Sequence, residues 1–344
     1  MPTEAVESLY AGLDLHKRNV YCGIIDQRGQ PIYSRRLPTE LPLILQALQP
    51  YQSSLRAVAV ESTFNWYWLV DGLQAAGYPV QLANPAAMQQ YNGLKQTNDR
   101  SDALWLAEML RLGIVPTGYI DPPEQRPVRD RLRRRMLVVR QATQIVLSLE
   151  SMVTRQTGQS VSAAKLQVWR AADVREAFAD PYSQQTVLAL LELLRQQRRI
   201  QHQLEKQVLA LVKLSGGFQR LLSIPGVGNI LALTIALETG PISRFASAGD
   251  YASYSRAVNS LCQSDGKSKG QNNRKNGSKY LGWAFVEAAQ FCQRYSPRAH
   301  AWLAQKTART NRVIAIKALA CKLSKAVYYM LRDEVEFNEE LLFG

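Results

Sequence analysis

Four carboxylates have the types and spacing to do chemistry. Asp99 and Asp102 stand three residues apart in "QTNDRSDALWLAEMLRLG", at the head of an apolar helical pattern, so that they share one helix face. Asp14 closes the strand-like run in "AGLDLHK", and Glu61 closes another in "VAVEST". Brought together, four carboxylates repel one another unless divalent cations neutralise them. Two Mg²⁺ ions held in this way can clamp the attacking and leaving oxygens of a phosphodiester. Each acid also has an ordinary structural job. Asn98 can cap the helix, and acids in a first turn gain about 0.3–1 kcal/mol from the helix dipole; Asp14 can be a turn residue and Glu61 a solvated strand end. Their joint placement along the chain favours the metal-site reading. His16 and Lys17, beside Asp14, suit either phosphate contact or a plain surface role.

The elements that would position these acids can be read in order. "LYAGLD", "NVYCGIID" and "PIYSRRL" are three strands with short turns, a pattern of antiparallel hairpins. A helix in "TELPLILQAL", a strand in "LRAVAVEST", a helix in "NWYWLVDGLQAAG", a strand in "YPVQLANP" and the helix from Asp99 follow. Three meandering strands followed by alternating helix and strand is the order of an RNase H-like sheet. In that sheet the strands of Asp14 and Glu61 are neighbours.

Prolines in "GIVPTGYIDPPEQRP" mark a linker, after which the composition turns helical. The expected division is an α/β RNase H-like domain over 1–120, a helical coiled-coil region over 121–215 and a mainly α domain over 216–344. The middle region opens with seven arginines in the fifteen residues Arg126 to Arg140. Further on, Leu190, Leu193, Gln197, Ile200, Leu204, Gln207, Leu211 and Leu214 recur in steps of three and four, a seam suited to oligomerisation. The charge follows the same division. Residues 1–120 carry 9 Lys and Arg against 10 Asp and Glu, 121–215 carry 16 against 9, and 216–344 carry 17 against 9. A basic excess confined to the last two thirds points to a phosphate polymer as partner.

The final third contains "SIPGVGNILALTIALETG", similar to a helix-hairpin-helix, in which Gly226 and Gly228 would let backbone N–H groups approach a phosphate. A tight turn serving only packing is the alternative. Downstream, "SLCQSDGKSKGQNNRKNGSK" sets Lys267, Lys269, Arg274, Lys275 and Lys279 among small polar residues, with only Asp265 opposing them. This loop suits phosphate contact. Ser260, Ser264, Ser268 and Ser278 are hydroxyls in or beside it, and residue chemistry alone does not choose among them. Phosphate contact is likewise expected of Arg126, Arg129, Arg133, Arg134 and Arg135.

The stretches "AGLDLHK", "VAVESTFNWYWLVDGL", "KQTNDRSDALWLAEML", "SIPGVG", "SDGKSKGQNNRKNGSKYLGWAFVEAA" and "ARTNRVIAIKALACKLSKAVYYMLRD" resemble the DEDD-type insertion-sequence transposases along nearly the whole chain. The resemblance implies a RuvC-like N-terminal domain, in which Asp14, Glu61, Asp99 and Asp102 match the four acidic positions, and a C-terminal serine transposase domain. It implies site-specific recombination of donor and target DNA, guided by a noncoding bridge or seeker RNA, by a homo-oligomer built from dimers up to a tetramer. The cofactor implied is Mg²⁺, with Mn²⁺ as its substitute. The acids of one subunit work beside the serine of another, and that serine attacks the phosphodiester to form a covalent protein–DNA intermediate. It is best matched here by Ser264, with Ser268 the alternative, because the loop aligns only with a one-residue gap.

Two rivals follow from the same residues. One is a RuvC-like nuclease or junction resolvase that uses metal-activated water, and the other is a nonenzymatic nucleic-acid-binding protein. Four scattered cysteines and three histidines off metal-ligand spacing argue against disulfides and zinc. The longest apolar run, "ILALTIAL", falls short of the ~20 residues of a membrane span, and the N-terminus lacks signal-peptide features, so a cytoplasmic, nucleoid-associated protein is expected.

Overall fold

The computed structural model describes residues 8–88, 98–211, 216–258, 261–265, 267–271 and 276–344. The chain divides into two compact units, Met1–Ile120 and Asp121–Gly344.

The first unit is a mixed five-stranded sheet with helices. Its elements run β1 (Leu9–Leu15), β2 (Asn19–Ile25), β3 (Pro31–Pro38), α1 (Leu41–Leu48), β4 (Leu55–Glu61), α2 (Tyr67–Ala75), β5 (Val80–Ala83), α3 (Pro85–Met88) and α4 (Asp99–Arg111). The strand order is β3-β2-β1-β4-β5, with β1 antiparallel to β2 and parallel to β4, and β4 parallel to β5. Alternation along β1 sorts its residues between two faces. Leu9, Ala11, Leu13 and Leu15 join Val58 and Val60 of β4 in the core that includes α1 and α2 residues Ile44, Leu69 and Leu73. Tyr10, Gly12 and Asp14 therefore take the other face, where Ala57 and Ala59 of β4 pack with Leu106, Met109 and Leu110 of α4.

That second face explains a glycine inside a strand. A β-carbon on Gly12 would run into the Ala103 carbonyl oxygen and lie 2.7 Å from the Ala107 backbone nitrogen. Gly23, on β2, would place one 3.0 Å from the Leu104 nitrogen. Two glycines thus let the backbone of α4 approach the strands closely, which is a common use of glycine in a sheet.

The second unit is mainly helical: α5 (Arg126–Thr157), α6 (Ala163–Val168), α7 (Ala171–Ala177), α8 (Pro181–Leu211), α9 (Gly216–Leu222), α10 (Asn229–Thr239), α11 (Ala248–Tyr254), the hairpin β6 (Leu261–Ser264) and β7 (Lys267–Gln271), α12 (Lys279–Tyr295), α13 (Pro297–Arg309), α14 (Arg312–Arg332) and α15 (Glu339–Phe343). It holds two cores. One gathers Phe218, Leu233, Ile235, Tyr251, Phe285, Leu319 and Leu323, together with Leu132 of α5 and Val208 of α8. The other joins Ala142, Val146, Leu149 and Val153 of α5 to Val187, Leu191 and Leu194 of α8, closed by Leu166, Trp169, Val174 and Phe178. Among the described residues, no helix is long and apolar enough to cross a membrane.

The α8 seam differs in frame from the spacing expected for it. The buried stripe is Val187, Leu191, Leu194 and Val208, while Leu193 of the expected stripe is 44% exposed. The run "VLALLELL" holds leucines in both frames, and packing against α5 selects one. Leu214 and the Leu211 side chain lie outside the described residues.

Candidate active site

Two of the four acids, Asp14 and Asp99, meet at His16, a third, Asp102, acts on Asp14 as a nearby like charge, and the fourth, Glu61, is placed by register. Asp14 is 3% exposed near the end of β1. In the β1–β4 ladder Leu13 pairs with Val60, so Asp14 and Glu61 stand one residue further along neighbouring parallel strands, on the α4 face. Ligand sites commonly form at such carboxyl ends. Asp99 and Asp102 are in the first turn of α4. Asn98 caps that helix: its side chain accepts from the Ser101 N–H at 2.8 Å, while the Ser101 hydroxyl accepts from the Asn98 N–H at 3.1 Å. Because this reciprocal cap serves the helix end, neither aspartate is needed for it.

His16 sits among these acids. Its Nε2 lies 3.0 Å from Asp14 Oδ2 and 3.5 Å from Asp99 Oδ1. The turn that carries it is held by its N–H, which donates to the Asn19 carbonyl at 2.9 Å, and by Asn65 Nδ2, which donates to the His16 carbonyl at 3.3 Å. Burial raises the Asp14 pKa above its ordinary value, His16 opposes the shift, and the charges of Asp102 and Asp99 add to it. Asp102 is thus near enough to act on Asp14 as a like charge. Asp14, His16 and Asp99 each offer a ligand atom, all within 4.8 Å of one another. This hard, anionic donor set fits a divalent cation.

The arginines that open α5 have mostly intramolecular partners. Arg126 and Arg129 are buried; Arg126 Nε donates to the Asp121 carbonyl at 2.6 Å, and Arg129 pairs with the Asp121 carboxylate. Arg133 forms a two-pronged pair with Glu238 of α10, at 2.6 and 2.9 Å, and lies over the Tyr280 ring. Arg135 pairs with Glu205 of α8 at 2.7 Å. Arg134 alone of this five is exposed. The phosphate contacts expected of Arg126, Arg129, Arg133 and Arg135 compete with these partners, which the charge count does not show.

Spacing does not single out Glu238, yet it joins three elements. It is 6% exposed, holds Arg133 of α5 and accepts from the Ser278 hydroxyl at 3.0 Å. Ser278 in turn caps α12, just after the serine-containing loop. Replacing Glu238 with Ala would remove the close, covered partner of Arg133 and leave it the more distant Asp130 at 4.0 Å and the Tyr280 ring. Breaking a buried pair costs ~3–5 kcal/mol, and the part-exposed Arg133 lowers the expected loss to about 2–4 kcal/mol, to be read from denaturant unfolding. An Arg133→Leu companion should recover part of that loss.

Of the hairpin glycines, Gly226 has φ +79°, and a β-carbon there would lie 2.7 Å from Phe291 Cβ on α12. It serves packing. Gly228 caps α10 in extended backbone, with open space beside it. The expected polar loop contains the β6–β7 hairpin, in which Ser264 pairs with Lys267 and Gln263 with Ser268. Asp265 takes φ 54° at its turn, as the Asp-Gly dipeptide favours. The two serines occupy successive rungs of the ladder. Lys267 and Lys279 are exposed; Ser260, Arg274 and Lys275, and the side chains of Ser264, Ser268 and Lys269, lie outside the described residues.

An acidic centre at the carboxyl ends of a mixed sheet, followed by a basic helical unit, is the layout of an enzyme that works on nucleic-acid phosphodiesters. The family model DEDD_Tnp_IS110, described as "Transposase", matches residues 11–156, and that of the "Transposase IS116/IS110/IS902 family" matches residues 218–304. The chain belongs to the IS110 family of transposases, which are DNA transposase and recombinase enzymes. Similar proteins include a "Probable family 20 transposase" of Pseudomonas aeruginosa PAO1, 24% identical over 94% of this chain and 96% of its own length. Another is the "Transposase for insertion sequence element IS1111A" of Coxiella burnetii RSA 493, 24% identical over 95% of this chain and 90% of its own.

Proposed function

We propose that the protein is an RNA-guided site-specific recombinase of an insertion sequence, with an RNase H-like first unit, acting in the cytoplasm on donor and target DNA. The observation that carries this reading is the meeting of Asp14 and Asp99 at His16, with Asp102 in the same helix turn as Asp99 acting on Asp14 as a like charge and Glu61 at the end of the neighbouring strand. Asp14, Glu61, Asp99 and Asp102 would hold Mg²⁺ or Mn²⁺, which supplies charge for the attacking and leaving oxygens when bound. The nucleophile is the hydroxyl of Ser264. As its oxygen bonds to phosphorus, the bond to the departing 3′ oxygen breaks; the serine gives up its proton and the 3′ oxygen gains one as a free hydroxyl, so one phosphoester replaces another. Reversal with a different strand rejoins DNA without ATP. Ser268 is the second candidate, because the resemblance aligns this loop only with a one-residue gap.

The basic excess of the second unit supports binding of both DNA and a structured guide RNA. Arg134, Lys267 and Lys279 are the exposed cations among the described candidates. Phe64, 84% exposed just beyond Glu61, offers an aromatic face on which a nucleobase near the scissile phosphate can stack. Sequencing the nucleic acids that co-purify with the full chain tests the reading. RNA transcribed from the end of the element that encodes the protein is expected, whereas DNA junctions without any such RNA would favour a resolvase.

Assembly is assigned to the outer stripe of α8. Leu193, Ile200 and Leu204 lie beside the seam that α5 covers, Leu190 packs partly against that seam, and Leu193 is exposed. Leu193→Glu with Leu204→Glu would bury unpaired charge in a contact between copies. The double variant should lose mass in light scattering while unfolding like the parent; unchanged mass would remove the stripe from the interface.

A further inference from the structure

We propose that His16 is a metal ligand, so that the ion of this site has a nitrogen in its coordination sphere besides the carboxylate oxygens. The inference deepens the proposed function and rests on its metal-binding reading. Two donors at about 2.1 Å from one ion lie about 3.0 Å apart across an octahedral edge and about 3.4 Å apart across a tetrahedral one. His16 Nε2 lies 3.0 Å from Asp14 Oδ2 and 3.5 Å from Asp99 Oδ1. Its distances to both acids are therefore those of donors sharing one ion. A hydrogen bond to Asp14 would account for one distance. The second acid comes from α4, a different element, and makes a three-donor set within 4.8 Å.

The surroundings suit the role. The His16 side chain is 47% exposed and the Asp99 side chain 50%, while that of Asp14 is nearly covered. Such a site is anchored by one buried ligand and open to substrate on the other side. The backbone of His16 is tied to Asn19 within its turn and to Asn65 from the β4–α2 connection, so the ring leaves a fixed point. An imidazole nitrogen also changes selectivity. Mg²⁺ takes oxygen ligands, whereas Mn²⁺ and the later divalent ions accept nitrogen more readily. The site should therefore favour Mn²⁺ more than four carboxylates would.

Pulsed electron paramagnetic resonance on the full chain with Mn²⁺ as probe tests this directly. The parent should show ¹⁴N modulation from a coordinated imidazole. His16→Ala should keep its fold by circular dichroism, lose the modulation and bind Mn²⁺ about tenfold more weakly, with a smaller loss for Mg²⁺ by calorimetry. Asp14→Asn should lose modulation and tight binding together. Mn²⁺ bound tightly and dependent on Asp14, yet without ¹⁴N modulation, would overturn the role of His16 and leave the carboxylate site standing. If Mn²⁺ binding were absent or unaffected by Asp14→Asn, the metal-binding reading itself would fall, and the inference with it.

Discussion

Asp14→Asn and Asp102→Asn are each expected to reduce DNA strand exchange by about a thousandfold or more, equal to the roughly 4 kcal/mol that a correctly held metal supplies to the transition state. Neither should unfold the protein. Asp14 is buried beside like charges, and burial with Asp102 and Asp99 raises its pKa above the ordinary 3.8. For an acid whose folded pKa is raised, the favourable contribution is full below pH 3.8 and is lost as pH rises through the folded value. At neutral pH, without metal, the ionised Asp14 therefore opposes folding. Asparagine keeps the shape and removes that charge, so Asp14→Asn should unfold at a higher temperature than the parent in EDTA at pH 7. The difference should shrink as the pH falls toward 4. An inactive variant with raised stability separates a functional acid from a structural one, for which both properties would fall together.

Gly12→Ala is expected to damage fold and activity at once. The β-carbon would meet the Ala103 carbonyl and the Ala107 nitrogen, both in the backbone of α4, and lie 2.8 Å from Leu106 Cβ. A flexible side chain could rotate away from such a contact; helix backbone cannot, so α4 must lift from the sheet. Overpacking usually costs about 1–3 kcal/mol, and contact with backbone puts this case at or above the upper end. A loss of about 3 kcal/mol lowers the midpoint of a unit this size by roughly 10 °C. Because α4 carries Asp99 and Asp102, exchange should fail even at temperatures where the variant remains folded. Thermal melts and exchange assays on the same preparation measure both effects.

Gly12 also shows what the sequence reveals and what it hides. A glycine inside "LYAGLDL" is a readable sign of close backbone approach, but the approaching helix is found only in the fold. The three-strand meander and the strands of Asp14 and Glu61 side by side are legible from alternation and turn spacing, and the ladder joins β1 to β4 with Leu13 opposite Val60. His16 is less legible: its place beside Asp99 depends on how α4 crosses the sheet. The arginine cluster reads as a phosphate-binding surface because charge is visible locally. Its partners Glu205 and Glu238 lie far along the chain, and they hold Arg135 and Arg133. On α8, leucine doublets support two frames equally, and only the neighbouring α5 chooses between them. The β6–β7 hairpin is hidden for the opposite reason. Its polar strands have no apolar alternation, and "SDGK" is the lone turn signal.

The most direct measurement is a search for a DNA–protein adduct with DNA nicked near the crossover, so that a cleaved strand cannot rejoin. The full chain with its co-purified RNA and Mg²⁺ is denatured, resolved on gels and digested for peptide mapping. The expected result is DNA covalently attached to the peptide containing Ser264, lost in Ser264→Ala and in Asp102→Asn. An adduct on Ser268 would move the nucleophile one rung along the hairpin and keep the chemistry. Efficient cleavage that leaves free DNA ends and no adduct would contradict the account, because water, and not a serine of this chain, would then be the nucleophile.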